Sequence, residues 1–411
     1  MLNRNRNFAN LTSGYLFPEI SRRRNLYAKT HPDARIISLG IGNTTEPLTP
    51  HIVQGLKQEV LALGTKNGYS GYGDETGLTA LREKIARVLY AEIVAPEEVF
   101  ISDGAKCDIG RVQYLFGSDV AVAVQDPAYP VYVDGSVMIG AAGAAVSGMG
   151  YDGITYMPCT AENDFFPDLS CIPVNALVYF CSPNNPTGAV ATKTQLASLV
   201  AAVREKGSLI IFDSAYSAYI RDPGLPRSIF EIEGARECAI EVNSFSKPIG
   251  FTGVRLGWTI IPKELRFADG TPVIQDWTRL MTTIFNGASN IAQYGGLASL
   301  DEDGMAETKA LTDYYLDNAK LIQQSLSGAN FASAGVEIFG GSNAPYIWAL
   351  FPGRKSWDIF DLILDICHVV CTPGAGFGPA GESFIRFSSF GHRDQVSEAC
   401  ERLSKLNLDC G

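Results

Sequence analysis

The chain of 411 residues predicts an α/β fold, a mainly parallel sheet covered by helices and joined to a smaller α+β domain. Two observations carry this. From about 98 to 262, short apolar runs recur between helix-length stretches: VFIS at 99–102, VAVAV at 120–124, ALVYF at 176–180, LIIFD at 209–213, AIEVN at 239–243 and WTII at 258–261. Runs apolar on both faces suit parallel strands buried between layers of helix. From about 290 the pattern changes. A long helical stretch over 288–328, with a break, leads into YIWAL at 346–350, VVCT at 369–372 and FIRFSSF at 384–390, and a helix closes the chain near 392–406. The expected division is a large domain over 50–290 and a small one from 1–49 and 291–411, since a chain this long exceeds one core.

In chain order, residues 1–49 hold one helical patch and a short strand, Ile36–Leu39, ending in GIGNTTEP. Helices are expected over 50–63 and 77–91; in the second, Leu78, Leu81, Ile85 and Val88 recur at helical spacing. Between them lies the glycine-rich loop NGYSGYGDETG, with Tyr72, Asp74 and Glu75.

Composition excludes several function classes. The formal net charge is -11 and the one basic cluster, Arg22–Arg24, reads as a solvated helix face, so nucleic acid is not an expected partner. Nine cysteines, an odd number without framework spacing, point to free thiols in a reducing, cytoplasmic setting. Cys367, His368 and Cys371 lack a second ligand cluster and read as a buried strand region, so no metal is expected. Residues 1–15 lack the apolar core of a signal peptide, and no apolar run approaches the ~20 residues of a membrane helix.

Ligands of parallel sheets gather at the carboxyl ends of the strands, so the residues that follow each strand are the candidates. After VFIS, Asp103-Gly104-Ala105-Lys106 opens a helix whose N–H groups suit a phosphate, a weak signal alone. After VAVAV, prolines flank Ala128-Tyr129; after ALVYF, SPNNPTG presents Asn185; after LIIF come Asp213 and Tyr216. The run SFSKPIGFTGVRLGW follows the next strand with Ser244, Ser246, Lys247 and Arg255. Arg386 lies within FIRFSSF, where a buried guanidinium requires a carboxylate or phosphate partner.

Together these are the groups that pyridoxal 5'-phosphate requires. Lys247 is the expected covalent anchor. Asp213 keeps the pyridine nitrogen protonated, because an adjacent carboxylate raises that nitrogen's pKa. Tyr216 and Asn185 hydrogen-bond the ring oxygen, and Tyr129 stacks on the ring. Ser244, Ser246, Arg255 and the N–H groups of Ala105 and Lys106 hold the phosphate.

On NNPTG, FDSAY and SFSKPIGFTGVRLGW, nearly the whole chain resembles the class I/II aminotransferases, which are fold-type I pyridoxal-phosphate enzymes. The resemblance implies a homodimer with shared active sites, in which Tyr72 reaches the neighbouring subunit's phosphate and Arg386 pairs with the substrate's α-carboxylate. It also implies that Lys247, once released, moves the α-proton. The runs GYLFPEISRRR at 14–24, LGIGNTTEPL at 39–48 and GYSGYGDETG at 68–77 resemble one branch of that family. That branch interconverts LL-2,6-diaminopimelate plus 2-oxoglutarate with tetrahydrodipicolinate plus glutamate. This resemblance implies substrate contacts by Tyr15, Gly42, Lys106, Tyr129, Asn185, Asn286 and Arg386, with Glu75 of the other subunit reading the distal ammonium.

Blander readings stand beside these. Tyr15 also reads as an aromatic packing residue, Glu75 as a solvated loop carboxylate with Asp74 competing for its role, Asn286 as a helix N-cap, and Lys106 as an exposed helix residue. The same cofactor set also serves aromatic or dicarboxylic aminotransferases and β-eliminating lyases. A cofactor-sensing regulator is the reading from another class, and it would carry an added winged-helix segment.

Overall fold

The structure is a computed structural model that describes residues 2–11, 16–148 and 150–408. Its centre is a seven-stranded sheet of β1 (Val99–Ser102), β2 (Ala121–Asp126), β3 (Ile154–Pro158), β4 (Ala176–Cys181), β5 (Leu209–Asp213), β6 (Ala239–Ser244) and β7 (Gly257–Ile260). The spatial order is β1-β7-β6-β5-β4-β2-β3, parallel throughout except for β7, which runs antiparallel to β1 and β6. Strands β4, β5 and β6 are buried at every residue, which their unbroken apolar runs anticipate. Alternate side chains enter two separate cores, Val178, Phe180 and Phe212 on one face and Leu177, Tyr179 and Ile211 on the other. Of these seven strands, the one absent from the sequence reading is β3. It is an edge strand paired only with β2, and its mixed burial gives it no continuous apolar run.

A four-stranded antiparallel sheet forms the second layer: β8 (Glu337–Gly340), β9 (Tyr346–Leu350), β10 (Thr372–Pro373) and β11 (Phe384–Ser388), in the order β8-β9-β11-β10. VVCT is divided. Val369-Val370 pairs in parallel with Ile37-Ser38, and Thr372 moves across to β11. One core joins Leu16 and Ile20 of the helix Leu16–Thr30 to Ile347, Ile385 and Phe387, so the N-terminal segment packs with the C-terminal sheet.

The break expected within 288–328 falls at Leu300–Asp301, between the helices Asn290–Ser299 and Glu302–Leu326. The helix expected over 77–91 spans Thr79–Tyr90, because Gly77 holds a φ of +96° and Leu78 is extended. No helix among the described residues is long and apolar enough to cross a membrane.

Candidate active site

The run following β6 folds by sorting its own side chains. Phe245, Ile249, Phe251 and Leu256 enter the core, which turns Ser244, Ser246, Lys247 and Arg255 towards a cavity of about 560 Å³. Arg255 adopts a φ of +68°. That left-handed conformation costs ~1–2 kcal/mol for a residue with a Cβ. Here the guanidinium is tied by Nη1 to Ser246 Oγ at 3.2 Å and to the Thr252 carbonyl at 3.1 Å. Opposite it, Gly104 holds a φ of +123°, and a Cβ there would lie 2.5 Å from Arg255 Nη2. Only glycine lets the chain approach the guanidinium and then enter the helix Ala105–Phe116, whose first N–H groups lack intrahelical partners. Hydroxyls, guanidinium and helix start therefore converge as an anion cradle.

Asp213, at the end of β5, is buried; Tyr132 Oη donates to its Oδ2 at 2.8 Å and the Ala215 N–H to its Oδ1 at 3.1 Å. Burial pushes the Asp213 carboxyl up, against the pull of the Tyr132 hydrogen bond. Lys247 donates from Nζ to the Gly42 carbonyl. Burial, and then the positive charges of Arg386, Arg255 and Lys106, bring its amine down to about 7, with Asp213 opposing. Tyr216 Oη and Tyr346 Oη are 2.7 Å apart.

Arg386 is 1% exposed, yet no carboxylate pairs with it among the described residues. Its Nη1 donates to Asn185 Oδ1 at 2.6 Å and its Nη2 to the Gly40 carbonyl at 2.5 Å, while Nε has no partner. The rings of Tyr346 and Phe377 lie 4.4 and 4.9 Å from the guanidinium carbon. The partner expected for a buried arginine is therefore not supplied by this chain. A buried cation held by neutral acceptors keeps its affinity for an anion that enters the cavity.

Gly42, Ala105, Lys106, Tyr129, Asn185, Asp213, Tyr216, Ser244, Ser246, Lys247, Arg255 and Arg386 all line this one cavity. Lys106 is exposed at its mouth, with Nζ 5.7 Å from the Tyr129 ring centroid. Three candidates do not line it. Tyr72 is 89% exposed, Glu75 is half-buried and Asn286 is exposed. These three sit on one surface, because Asn290 Nδ2 donates to Ser70 Oγ at 2.8 Å and a Cβ on Gly287 would lie 3.1 Å from the Asp74 carbonyl. Asn286 is not a helix N-cap; Ser289 caps the helix that follows. Tyr15 lies outside the described residues.

Sequence reasoning missed Tyr132 and Tyr346. Tyr132 lies three residues beyond Tyr129 in PAYPVYV, and its spacing in the following helix is the only available signal. Tyr346 begins β9, whose register against β11 is a long-range property that no local pattern encodes.

With a folded-state value near 7, the Lys247 amine of the cofactor-free protein should become reactive through neutral pH. Modification of Lys247 by an amine-directed reagent, quantified by peptide mapping, should show a midpoint near 7; a midpoint near the ordinary 10.5 would refute the burial argument. Between those two values the unfolded chain holds a proton that the folded chain has lost, so the stability of the cofactor-free protein should rise with pH across that window.

A mainly parallel sheet with a half-buried lysine, a buried carboxylate and an anion cradle at its strand ends, faced by a buried guanidinium from the second sheet that has no carboxylate partner among the described residues, defines a transaminase-type site. The family model for aminotransferase class I and II matches residues 34–403, and the chain belongs to that family. It is 53% identical over 405 residues to a probable LL-diaminopimelate aminotransferase, chloroplastic, of Oryza sativa subsp. japonica, covering 98% of this chain and 86% of that protein. Identity to the LL-diaminopimelate aminotransferase of Protochlamydia amoebophila is 50% over 409 residues, covering 99% and 98% of the two chains. The solved L,L-diaminopimelate aminotransferase from Chlamydomonas reinhardtii superposes with a TM-score of 0.93 at 52% identity, over 98% of each chain.

Proposed function

We propose that this protein is a pyridoxal-phosphate-dependent transaminase that interconverts LL-2,6-diaminopimelate plus 2-oxoglutarate with tetrahydrodipicolinate plus glutamate. The observation that carries the reading is the presence in one cavity of a buried Arg386 without a carboxylate partner and the half-buried amine of Lys247, in a chain at least 50% identical to LL-diaminopimelate aminotransferases along almost its whole length.

The residues present fit the cofactor. The close approach of Gly104 to Arg255, with Ser244, Ser246 and the N–H groups of Ala105 and Lys106, suits a phosphate. Asp213 suits a protonated ring nitrogen, and Tyr129 offers a face for stacking. Tyr216 and the Nδ2 of Asn185, whose Oδ1 is already committed to Arg386, are donors for the ring oxygen. When bound, pyridoxal phosphate supplies an electron sink for charge that develops at the substrate's α-carbon.

The chain's own groups do the rest. Arg386 holds the α-carboxylate by its fork and sets which α-bond points towards Lys247. Once free, the Lys247 amine takes the α-proton and returns it to the opposite end of the system. One amine can serve as both base and acid because it accepts the proton and then gives it back. Asp213 keeps the ring's positive charge in place throughout.

We infer a homodimer in which Tyr72, Glu75 and Asn286 serve the other subunit's cavity, since they do not line this chain's own. The exposed apolar residues Val53, Val60, Leu61, Tyr69 and Tyr294 suit burial in such an interface. Glu75 rather than Asp74 reads the distal ammonium. Asp74 Oδ1 is occupied by the Thr76 N–H at 2.8 Å and the Thr76 hydroxyl at 2.5 Å, whereas Glu75 has no hydrogen bond or ion pair among the described residues. Lys106 and Gly42, at the cavity mouth, serve the distal carboxylate of either substrate. The two layers divide as a large domain over 50–290 and a small domain of 1–49 and 291–411. Eight free cysteines among the described residues support a reducing, cytoplasmic setting.

A half-reaction screen tests the function. Single amino acids mixed with the cofactor-loaded protein should convert its absorbance to the pyridoxamine form when the amino acid is LL-diaminopimelate or glutamate, but not when it is aspartate or an aromatic amino acid. Conversion by the aromatic set would replace the substrate assignment. Release of an oxo acid without that conversion would indicate a β-eliminating lyase.

A further inference from the structure

Tyr346 touches three residues of the site, Arg386, Tyr216 and Gly42. Its side chain is 1% exposed, at the first residue of β9. Strand pairing sets Trp348 opposite Arg386, which places Tyr346 diagonally across from Arg386 on the same face of the sheet. The ring lies 4.4 Å from the Arg386 guanidinium carbon and meets the Tyr216 ring edge to face, with centroids 5.1 Å apart. The hydroxyl is 2.7 Å from Tyr216 Oη. It also fills the space beside Gly42, where a Cβ would collide with it, and the Gly42 carbonyl is the acceptor for Lys247 Nζ.

The direction of the Tyr216–Tyr346 bond follows from proton counting. A phenol has one hydrogen to donate. Among the described residues, the hydrogen-bond partner of the Tyr346 hydroxyl is Tyr216. If Tyr216 spends its hydrogen on an anionic oxygen in the cavity, it must accept from Tyr346. The donors then run Tyr346 to Tyr216 to the cavity, and each hydrogen bond in such a chain strengthens the next by roughly 10–30%. The guanidinium over the Tyr346 ring adds to this, because a cation there makes the phenol a better donor.

We propose that Tyr346 is a positioning residue that sharpens the hydrogen bond from Tyr216 to the cofactor's ring oxygen, and so couples that bond to the carboxylate-binding Arg386. The inference rests on the assignment of Tyr216 to that oxygen. A stronger donor there stabilises the ring oxygen's negative charge. That lowers the pKa of the nitrogen linking Lys247 to the cofactor, since the proton on that nitrogen is held partly by the same charge.

The test is a pH titration of the cofactor-loaded protein, following the visible absorbance of the Lys247–cofactor linkage. Tyr346→Phe keeps the ring on Arg386 and removes only the hydroxyl. The midpoint should rise by roughly half a unit, less than for Tyr216→Phe, with kcat lowered roughly threefold and the KM for glutamate within about twofold. In a Tyr216→Phe background the Tyr346→Phe change should add nothing, because its effect passes through the Tyr216 hydroxyl. Additive shifts would overturn the proposal, as would a midpoint that Tyr216→Phe moves and Tyr346→Phe does not. If neither variant moves it, the assignment of Tyr216 falls first and this inference with it. Thermal melting of both variants separates these outcomes from misfolding.

Discussion

Lys247→Ala should lower turnover by at least ~10⁴-fold and remove the absorbance band of the lysine–cofactor linkage. The substitution deletes both the nucleophile that anchors the cofactor and the base that moves the α-proton, and a positioned base alone contributes ~10²–10⁴-fold. The variant should nevertheless fold. The Lys247 amine is half-buried beside the positive charges of Arg386, Arg255 and Lys106, and desolvation and then those charges bring its value down to about 7. Removing it relieves that repulsion, so the cofactor-free variant should melt no lower than the cofactor-free parent, most clearly below pH 7, where the parent amine is charged. Small exogenous amines should restore part of the activity, because Arg386, Asp213 and the anion cradle remain in place around the vacated volume. Turnover within tenfold of the parent would remove Lys247 from the mechanism. Full loss together with a collapsed melting temperature would mean the lysine holds the fold instead.

The parts of this site that were legible in the sequence share one physical cause. Strands β4, β5 and β6 are buried on both faces, so their apolar runs end abruptly, and Asn185, Asp213 and Lys247 follow those ends within a few residues. Arg386 was legible for the opposite reason, a charge inside an apolar strand. Its environment was not. Its acceptors within the chain are the neutral Asn185 Oδ1 and Gly40 carbonyl, contacts 201 and 346 residues apart in sequence. Tyr346 was invisible because antiparallel register is set by packing, and β3 because an edge strand of mixed burial has no two-sided apolar signature. Glu75 and Asp74 read alike in the loop, and only the structure shows that Asp74 Oδ1 accepts from Thr76. Local chemistry shows in a sequence, whereas the choice between two adjacent carboxylates depends on three-dimensional satisfaction.

Arg386→Lys should lower kcat/KM by ~10²–10⁴-fold, because each charge-assisted hydrogen bond to a carboxylate contributes ~1.5–3 kcal/mol and the fork makes two. Charge is conserved, so the loss measures geometry. An ammonium on a flexible stem cannot present two parallel donors, nor lie flat between the Tyr346 and Phe377 rings at 4.4 and 4.9 Å. The fractional loss should be equal for glutamate and LL-diaminopimelate, since both present the same α-carboxylate and differ only at the distal end. It should appear in kcat as well as KM, because the fork also orients the α-bond towards Lys247. Stability should change little. The parent buries a guanidinium whose Nε is unpartnered and whose acceptors are neutral, a condition that already costs folding free energy. A protein that tolerates such a cation without an anion of its own keeps it available for a ligand. A loss confined to one of the two amino donors would place Arg386 at the distal end of the substrate. A loss below threefold for both would leave the buried guanidinium as packing alone.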